Sequence, residues 1–189
     1  MSKDKNTQKA QKPKSLISEI MGTLIPIALA VIVAILLKTF VFANAVVPTG
    51  SMLNTIQEGD RIIASRLAYN NEDPQRYDVV IFKNPDNEEQ IFVKRVIGLP
   101  GETVEIVNGV VYVTKADDSV VQLDDSFITN CEPIGDFGPF NVPEDCYFML
   151  GDNRNTSHDS RFWTNKYVHK DKILGKVMFK YFPSFGTIQ

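Results

Sequence analysis

Histidine and cysteine are scarce in this 189-residue chain, with two of each, and that scarcity removes whole classes of chemistry. His158 and His169 follow Cys131 and Cys146 in a loop and a tail, without metal-ligand spacing. No metal site and no cysteine nucleophile is expected from them. An excess of positive charge is also missing: 20 basic residues face 23 acidic ones, for a net charge of −3. The distribution is uneven, because Lys3, Lys5, Lys9, Lys12 and Lys14 crowd the first fourteen residues against Asp4 alone. The rest of the chain is therefore acidic, with its aromatic residues scattered singly. Such a body has no electrostatic footprint for nucleic acid, and no nucleic-acid partner is expected. Internal repeats and low-complexity segments are absent as well. What remains is 43% hydrophobic, enough for one ordinary domain with a real core and a short appendage.

The appendage is the uncharged run from Ile20 to Leu37, rich in Ile, Leu, Val and Ala. Eighteen residues of helix rise ~27 Å, enough to cross a hydrocarbon core. Pro26 near the start of the run is tolerated more easily in a membrane helix than in a soluble one. The lysines before the run and the single Lys38 after it predict, by the positive-inside rule, a cytoplasmic tail over 1–15, a membrane helix over 16–40 and an extracytoplasmic domain over 41–189. A cleaved secretory signal would also begin with lysines and an apolar stretch, and Ala43-Asn44-Ala45 offers a small-x-small end for one. The run exceeds the roughly 7 to 15 residues of a signal core, which favours a retained anchor. Outside the membrane Cys131 and Cys146 could persist as a disulfide contributing ~3 kcal/mol, and two free thiols fit the sequence as well.

Beyond the helix the pattern turns to short β-branched and aromatic runs separated by Gly, Pro, Asn and Asp, which predicts a mainly β domain. Strands are expected at Arg61 to Ala64, Asp78 to Phe82, Ile91 to Ile97, Thr103 to Val107, Val110 to Thr114, Tyr147 to Leu150 and Lys176 to Tyr181. Asn108-Gly109 marks a tight hairpin between the fourth and fifth, since both central residues of a type I′ turn need positive φ. Residues 115–145 read as an irregular connection with room for one short strand. No helix long enough to cover a parallel sheet is visible, so curved, closed or packed sheets are expected.

Three segments could carry chemistry. In Pro48-Thr49-Gly50-Ser51-Met52, proline sets the chain direction and glycine permits close backbone approach, a turn that can expose a hydroxyl beside a free amide. In the strand around Lys94, alternation puts Phe92, Lys94 and Val96 on one face and Val93, Arg95 and Ile97 on the other. Burial of the first face would lower the pKa of Lys94, and a shift from ~10.4 to ~8 requires about 3 kcal/mol of differential interaction. The plainer reading is an edge-strand lysine whose stem lies on apolar surface while its head stays in water. The third segment, Gly151 to Arg161, pairs Asp159 with Arg161 on one side of an extended stretch and leaves Ser157 to orient a neighbour. A histidine triad is hard to assemble around His158, whereas a neutral lysine can activate a serine directly.

In this order the segments resemble the conserved boxes of bacterial type I signal peptidases: Pro-Thr-Gly-Ser-Met, Gly59-Asp60-Arg61, Tyr77-Asp78-Val79-Val80, Val93 through Glu102, and Gly151-Asp152-Asn153-Arg154. The resemblance covers nearly the whole chain and looks like the compact, single-helix form common in Gram-positive bacteria. It implies a catalytic domain of curved antiparallel sheets, a cell-membrane location, and signal peptides of exported preproteins as substrates, cut after small-x-small (Ala-x-Ala) sites. It implies no cofactor and no metal; its partners would be membrane lipid and, by proximity, the export translocon. By position Ser51 becomes the nucleophile and Lys94 its base, with Thr49 and the Ser51 amide as oxyanion hole. Ser157 would hold the Lys94 amine, while Asp159 with Arg161, and Asp152 near them, would brace the site. Val46, Val47, Met52, Phe92 and Val93 would line the substrate pockets. The sequence departs from the family pattern at Asn54, where proline is usual, at Asn155, usually acidic, and at His158, commonly small. Self-cleaving repressors share a Ser/Lys pair but carry a DNA-binding domain in place of a membrane helix. A silent membrane-anchored β module would not need Ser51, Lys94, Ser157 and Asp159 together.

Overall fold

Asn108 and Gly109 both take positive φ, 50° and 82°, and close a hairpin between β5 (Thr103–Val107) and β6 (Val110–Thr114), with Val107 opposite Val110. The computed structural model describes residues 16–125, 128 and 135–188, with side chains from residue 20 onward. Cys131, and with it the disulfide expectation, lies outside the described residues. The chain forms two units, residues 1–38 and 39–189. In the first, helix α1 (Leu16–Leu36) carries Pro26 inside it and has its large apolar side chains exposed from Ile20 onward. The stretch Ile20–Val41 is long and apolar enough to cross a membrane.

The second unit is built of antiparallel strands. Its larger sheet runs in the order β1 (Phe42–Val46), β2 (Arg61–Ser65), β11 (Ile173–Phe182), β3 (Val79–Asn84), β4 (Asn87–Gly98), β9 (Cys146–Leu150) and β10 (Val168–His169), with β12 (Gly186–Thr187) against β11. The smaller sheet runs β7 (Val120–Gln122), β6, β5 and β8 (Phe137–Asn141). Alternation along β3 shows why its sequence is apolar at consecutive positions. Val79 and Ile81 enter one core with Ala43, Met52, Ile56, Ile62, Ala64 and Val177, while Val80 and Phe82 enter another with Val96, Tyr147, Met149, Trp163 and Val168. A strand covered on both faces has no polar side to alternate with. A third core joins Ile97, Phe148 and Leu150 of the larger sheet to Val104, Ile106, Val111 and Val113 of the hairpin.

Each of the seven expected strands forms. The differences lie where apolar alternation is weak. β4 begins at Asn87, because pairing to β3 through the Asn84–Asn87 turn carries the exposed, polar residues 87–90 as strand. β1 has small and polar residues, and pairing with β2 over five residues makes it a strand. Among its described residues the connection 115–145 holds two strands, β7 and β8, each paired to one edge of the hairpin.

Candidate active site

The turn that carries Ser51 is pinned from both sides. Before it, Val47 donates its amide to Asp60 O at 2.9 Å and accepts from Gly59 N at 2.8 Å, which extends the β1–β2 pairing up to Pro48. After it, Met52 is fully buried in the first core, and its carbonyl accepts from Ile56 N at 2.8 Å. Between these anchors Thr49 is extended and Gly50–Met52 makes one turn of 3-10 helix. Ser51 therefore sits on a short rigid turn beside the strand that carries Lys94.

Lys94 lies on β4 opposite Val80, 4% exposed, and its Nζ donates to Ser51 Oγ at 2.6 Å. Its neighbour two residues back, Phe92, presents its ring 5.5 Å from the ammonium. Burial among apolar groups disfavours the charged amine and lowers its pKa from 10.5 to about 8, against a partial opposing pull from the Asp159 and Asp152 carboxylates. Desolvation outweighs that pull, and both carboxylates are engaged with other groups. A lysine with this pKa has a substantial neutral fraction near neutral pH and can take a proton from a hydroxyl across a contact of that length.

Those engagements divide the third segment differently from the sequence expectation. Asp159 does pair with Arg161, Nε to Oδ1 at 2.8 Å and Nη2 to Oδ2 at 2.9 Å, and also accepts Gly151 N at 3.1 Å. Asp152 instead pairs with Arg95, Nε to Oδ1 at 2.8 Å and Nη2 to Oδ2 at 2.7 Å, and accepts the Thr55 hydroxyl at 2.5 Å. Arg95 also donates to Tyr77 O at 2.7 Å. A guanidinium 1% exposed demands such a partner, and alternation puts Arg95 with Val93 and Ile97 on the face opposite Lys94 without showing that this face is buried.

Two residues of the Gly151–Arg154 box to which the sequence assigned no role join the loop to the turn. Asn153 donates its amide N–H to Ser51 O at 3.1 Å and its side-chain Nδ2 to Gly50 O at 3.0 Å. Gly151 packs so closely that a Cβ there would lie 2.2 Å from Ser157 Oγ and 2.5 Å from Ser51 O. The contacts with Gly50 and Ser51 have no local sequence signature, since each spans about a hundred residues. Ser157 is thus brought into the site, 3% exposed, but its Oγ has no hydrogen-bond partner among the described residues. The expected bond from Ser157 to the Lys94 amine is not formed. Thr49 Oγ1 donates to Ser51 Oγ at 3.4 Å.

A cleft of about 400 Å³ opens onto Ser51 and Lys94, lined by residues 45–51 and 91–94 with Thr156 and His158. Val46, Val47, Phe92 and Val93 line it. Met52 does not; its side chain serves the core behind the turn. Among the described residues no group of His, Cys, Asp and Glu could hold a metal ion.

Residues 20–182 match the family described as signal peptidase, peptidase S26. A probable signal peptidase I-2 of Synechocystis is 39% identical over 82% of this chain and 69% of its own length. A signal peptidase I of Leptolyngbya laminosa is 36% identical over 92% and 85%, and one of Bacillus caldolyticus 37% over 84% and 89%. A solved signal peptidase I from Enterococcus faecalis is 34% identical, covering 56% of this chain and 97% of its own, with a TM-score of 0.46. Likeness of this extent, running from the apolar helix to the last long strand, makes the chain a member of the signal peptidase (peptidase S26) family.

Proposed function

We propose that this peptidase removes signal peptides from exported preproteins, after small-x-small sites, by a Ser51/Lys94 mechanism. The observation that carries the reading is the 2.6 Å contact between Ser51 Oγ and an amine whose pKa is lowered to about 8. In the first half-reaction neutral Lys94 takes the Ser51 proton as Oγ attacks the scissile carbonyl. Thr49 Oγ1 and the Ser51 amide stabilise the resulting oxyanion, each donor worth about 3 kcal/mol. The Lys94 ammonium then protonates the leaving amine, freeing the mature chain and leaving an ester on Ser51. Water, deprotonated by the neutral lysine again, hydrolyses that ester and restores the serine.

An apolar cleft formed by Val46, Val47, Phe92 and Val93 suits an extended chain with small side chains at the cleavage point. Asp159 with Arg161 and Asp152 with Arg95 hold the loop that packs against the dyad, and Ser157 is carried next to it. The apolar helix anchors the protein, with the lysine-rich tail on the cytoplasmic side and the catalytic domain outside, near where exported chains emerge from the translocon. Protease added to spheroplasts should digest the domain and spare the tail; the opposite pattern would refute the orientation. The deciding experiment is incubation of the detergent-solubilised protein with a preprotein bearing an Ala-x-Ala site. Cleavage at that bond by the wild type, lost in Ser51→Ala, is the expected result; cleavage that survives the substitution would overturn the reading.

A further inference from the structure

His158 stands exposed at the edge of the same cleft as Ser51 and Lys94, at a position the mechanism does not use. Its Nδ1 accepts the indole N–H of Trp163 at 3.1 Å. A ring nitrogen that accepts carries no hydrogen, so the neutral imidazole holds its hydrogen on Nε2, on the side away from the indole. Trp163 is itself fixed: it is 1% exposed and packs edge-on against Phe82 at 5.9 Å, with Phe92 at 6.0 Å. The residues after it, Thr164 and Asn165, donate their amides to Asp86 at 2.9 and 2.8 Å. The Phe162 ring stacks on the imidazole, 6.3 Å away and tilted 20°. His158 is thus a donor held in place at the rim of a largely apolar cleft.

Resting on the peptidase reading, we propose that His158 is a specificity-determining residue whose Nε2–H donates a hydrogen bond to an acceptor side chain of the substrate close to the scissile bond. An apolar side chain at that point would cover the donor and leave it unpaired, whereas Asn or Thr of similar shape would satisfy it. Sites that offer a polar group discriminate in this way against the analogue lacking its partner. For a neutral, partly solvated bond the effect is about three- to tenfold.

The test is a panel of Ala-x-Ala peptides in which the two alanines are kept and the x position and each of the three positions after the scissile bond are varied between near-isosteric pairs, Asn/Leu and Thr/Val. The ratio of kcat/KM within each pair is read for the detergent-solubilised full chain. A ratio is independent of the fraction of enzyme that is active. The wild type should favour the polar member about three- to tenfold at one position, His158→Ala should bring that ratio to near one, and His158→Gln, which keeps an N–H, should retain part of it. Ser51-dependent cleavage with no such preference in the wild type, or with the preference intact in His158→Ala, would overturn the proposal alone. Should His158→Ala not fold, a His158→Gln ratio equal to that of His158→Leu would overturn it too. Cleavage that ignores Ser51 would overturn the peptidase reading, and this proposal with it.

Discussion

Lys94 and Arg95 are consecutive on β4 and leave opposite faces of the strand into opposite electrostatic settings. Arg95 meets the Asp152 carboxylate in a two-point ion pair, whereas Lys94 meets the Ser51 hydroxyl and the Phe92 ring. One buried cation lies directly against a counter-charge. The other is pushed toward the neutral amine, because the nearby carboxylates only partly offset its desolvation.

Removal of either member of the dyad should abolish cleavage. Under the proposed mechanism Ser51→Ala takes the nucleophile and Lys94→Ala the base, and each is expected to lower single-turnover cleavage of a signal-peptide substrate by at least about 10³-fold. Lys94→Arg should be equally inactive, because a guanidinium stays protonated and accepts nothing. Activity within tenfold of wild type in any of the three would remove the dyad from the mechanism.

The pH profile should carry the signature of the amine. Only neutral Lys94 accepts the serine proton, so the rate should climb as pH rises through about 8 and level off above it. A histidine base would place the midpoint near ~6.5. A limb centred there, and absent from His158→Ala, would identify the wrong base.

Stability should respond to pH in the same window. The folded-state pKa of Lys94 is lowered from 10.5 to about 8, so the unfolded chain binds the extra proton between those values. Burial of the charged form therefore destabilises the fold below pH 8, by up to about 3 kcal/mol, and this cost fades as pH rises toward 10.5. Lys94→Met should accordingly unfold at a higher denaturant concentration than wild type at pH 7, with the gap narrowing by pH 10. A gap that is constant with pH would mean that Lys94 is not desolvated.

Breaking the Arg95–Asp152 pair should affect folding more than chemistry. Asp152→Ala leaves a guanidinium 1% exposed without its carboxylate, a loss of about 3–5 kcal/mol. Chemical denaturation should show that loss, with a smaller one for Asp152→Asn. An unfolding midpoint unchanged in Asp152→Ala would contradict the buried pairing.

Gly151→Ala should impair catalysis by geometry alone. The added Cβ would meet Ser157 Oγ at 2.2 Å and Ser51 O at 2.5 Å, so the loop and the nucleophile turn must separate. A drop in kcat of at least about 10²-fold is expected, since a displacement of 1 Å at a reacting group costs that much. Wild-type turnover by Gly151→Ala would show that the two segments do not touch.

The local pattern of the sequence determined what depends on near neighbours. The uncharged run marks α1, Asn108-Gly109 marks the hairpin, and period-two alternation puts Lys94 and Arg95 on opposite faces of β4, because chain geometry alone sets those directions. The Asp159–Arg161 pair belongs to the same class, two residues apart on one loop. Pairing of β1 with β2, the two strands inside 115–145, the choice of Arg95 as partner of Asp152, the Asn153 bonds to the Ser51 turn and the withdrawal of Met52 into the core were decided by tertiary structure. Apart from β7, which pairs with β6 six to ten residues away, these features join segments well separated in sequence, and a buried charge or backbone group takes whichever partner the packed sheets bring within reach.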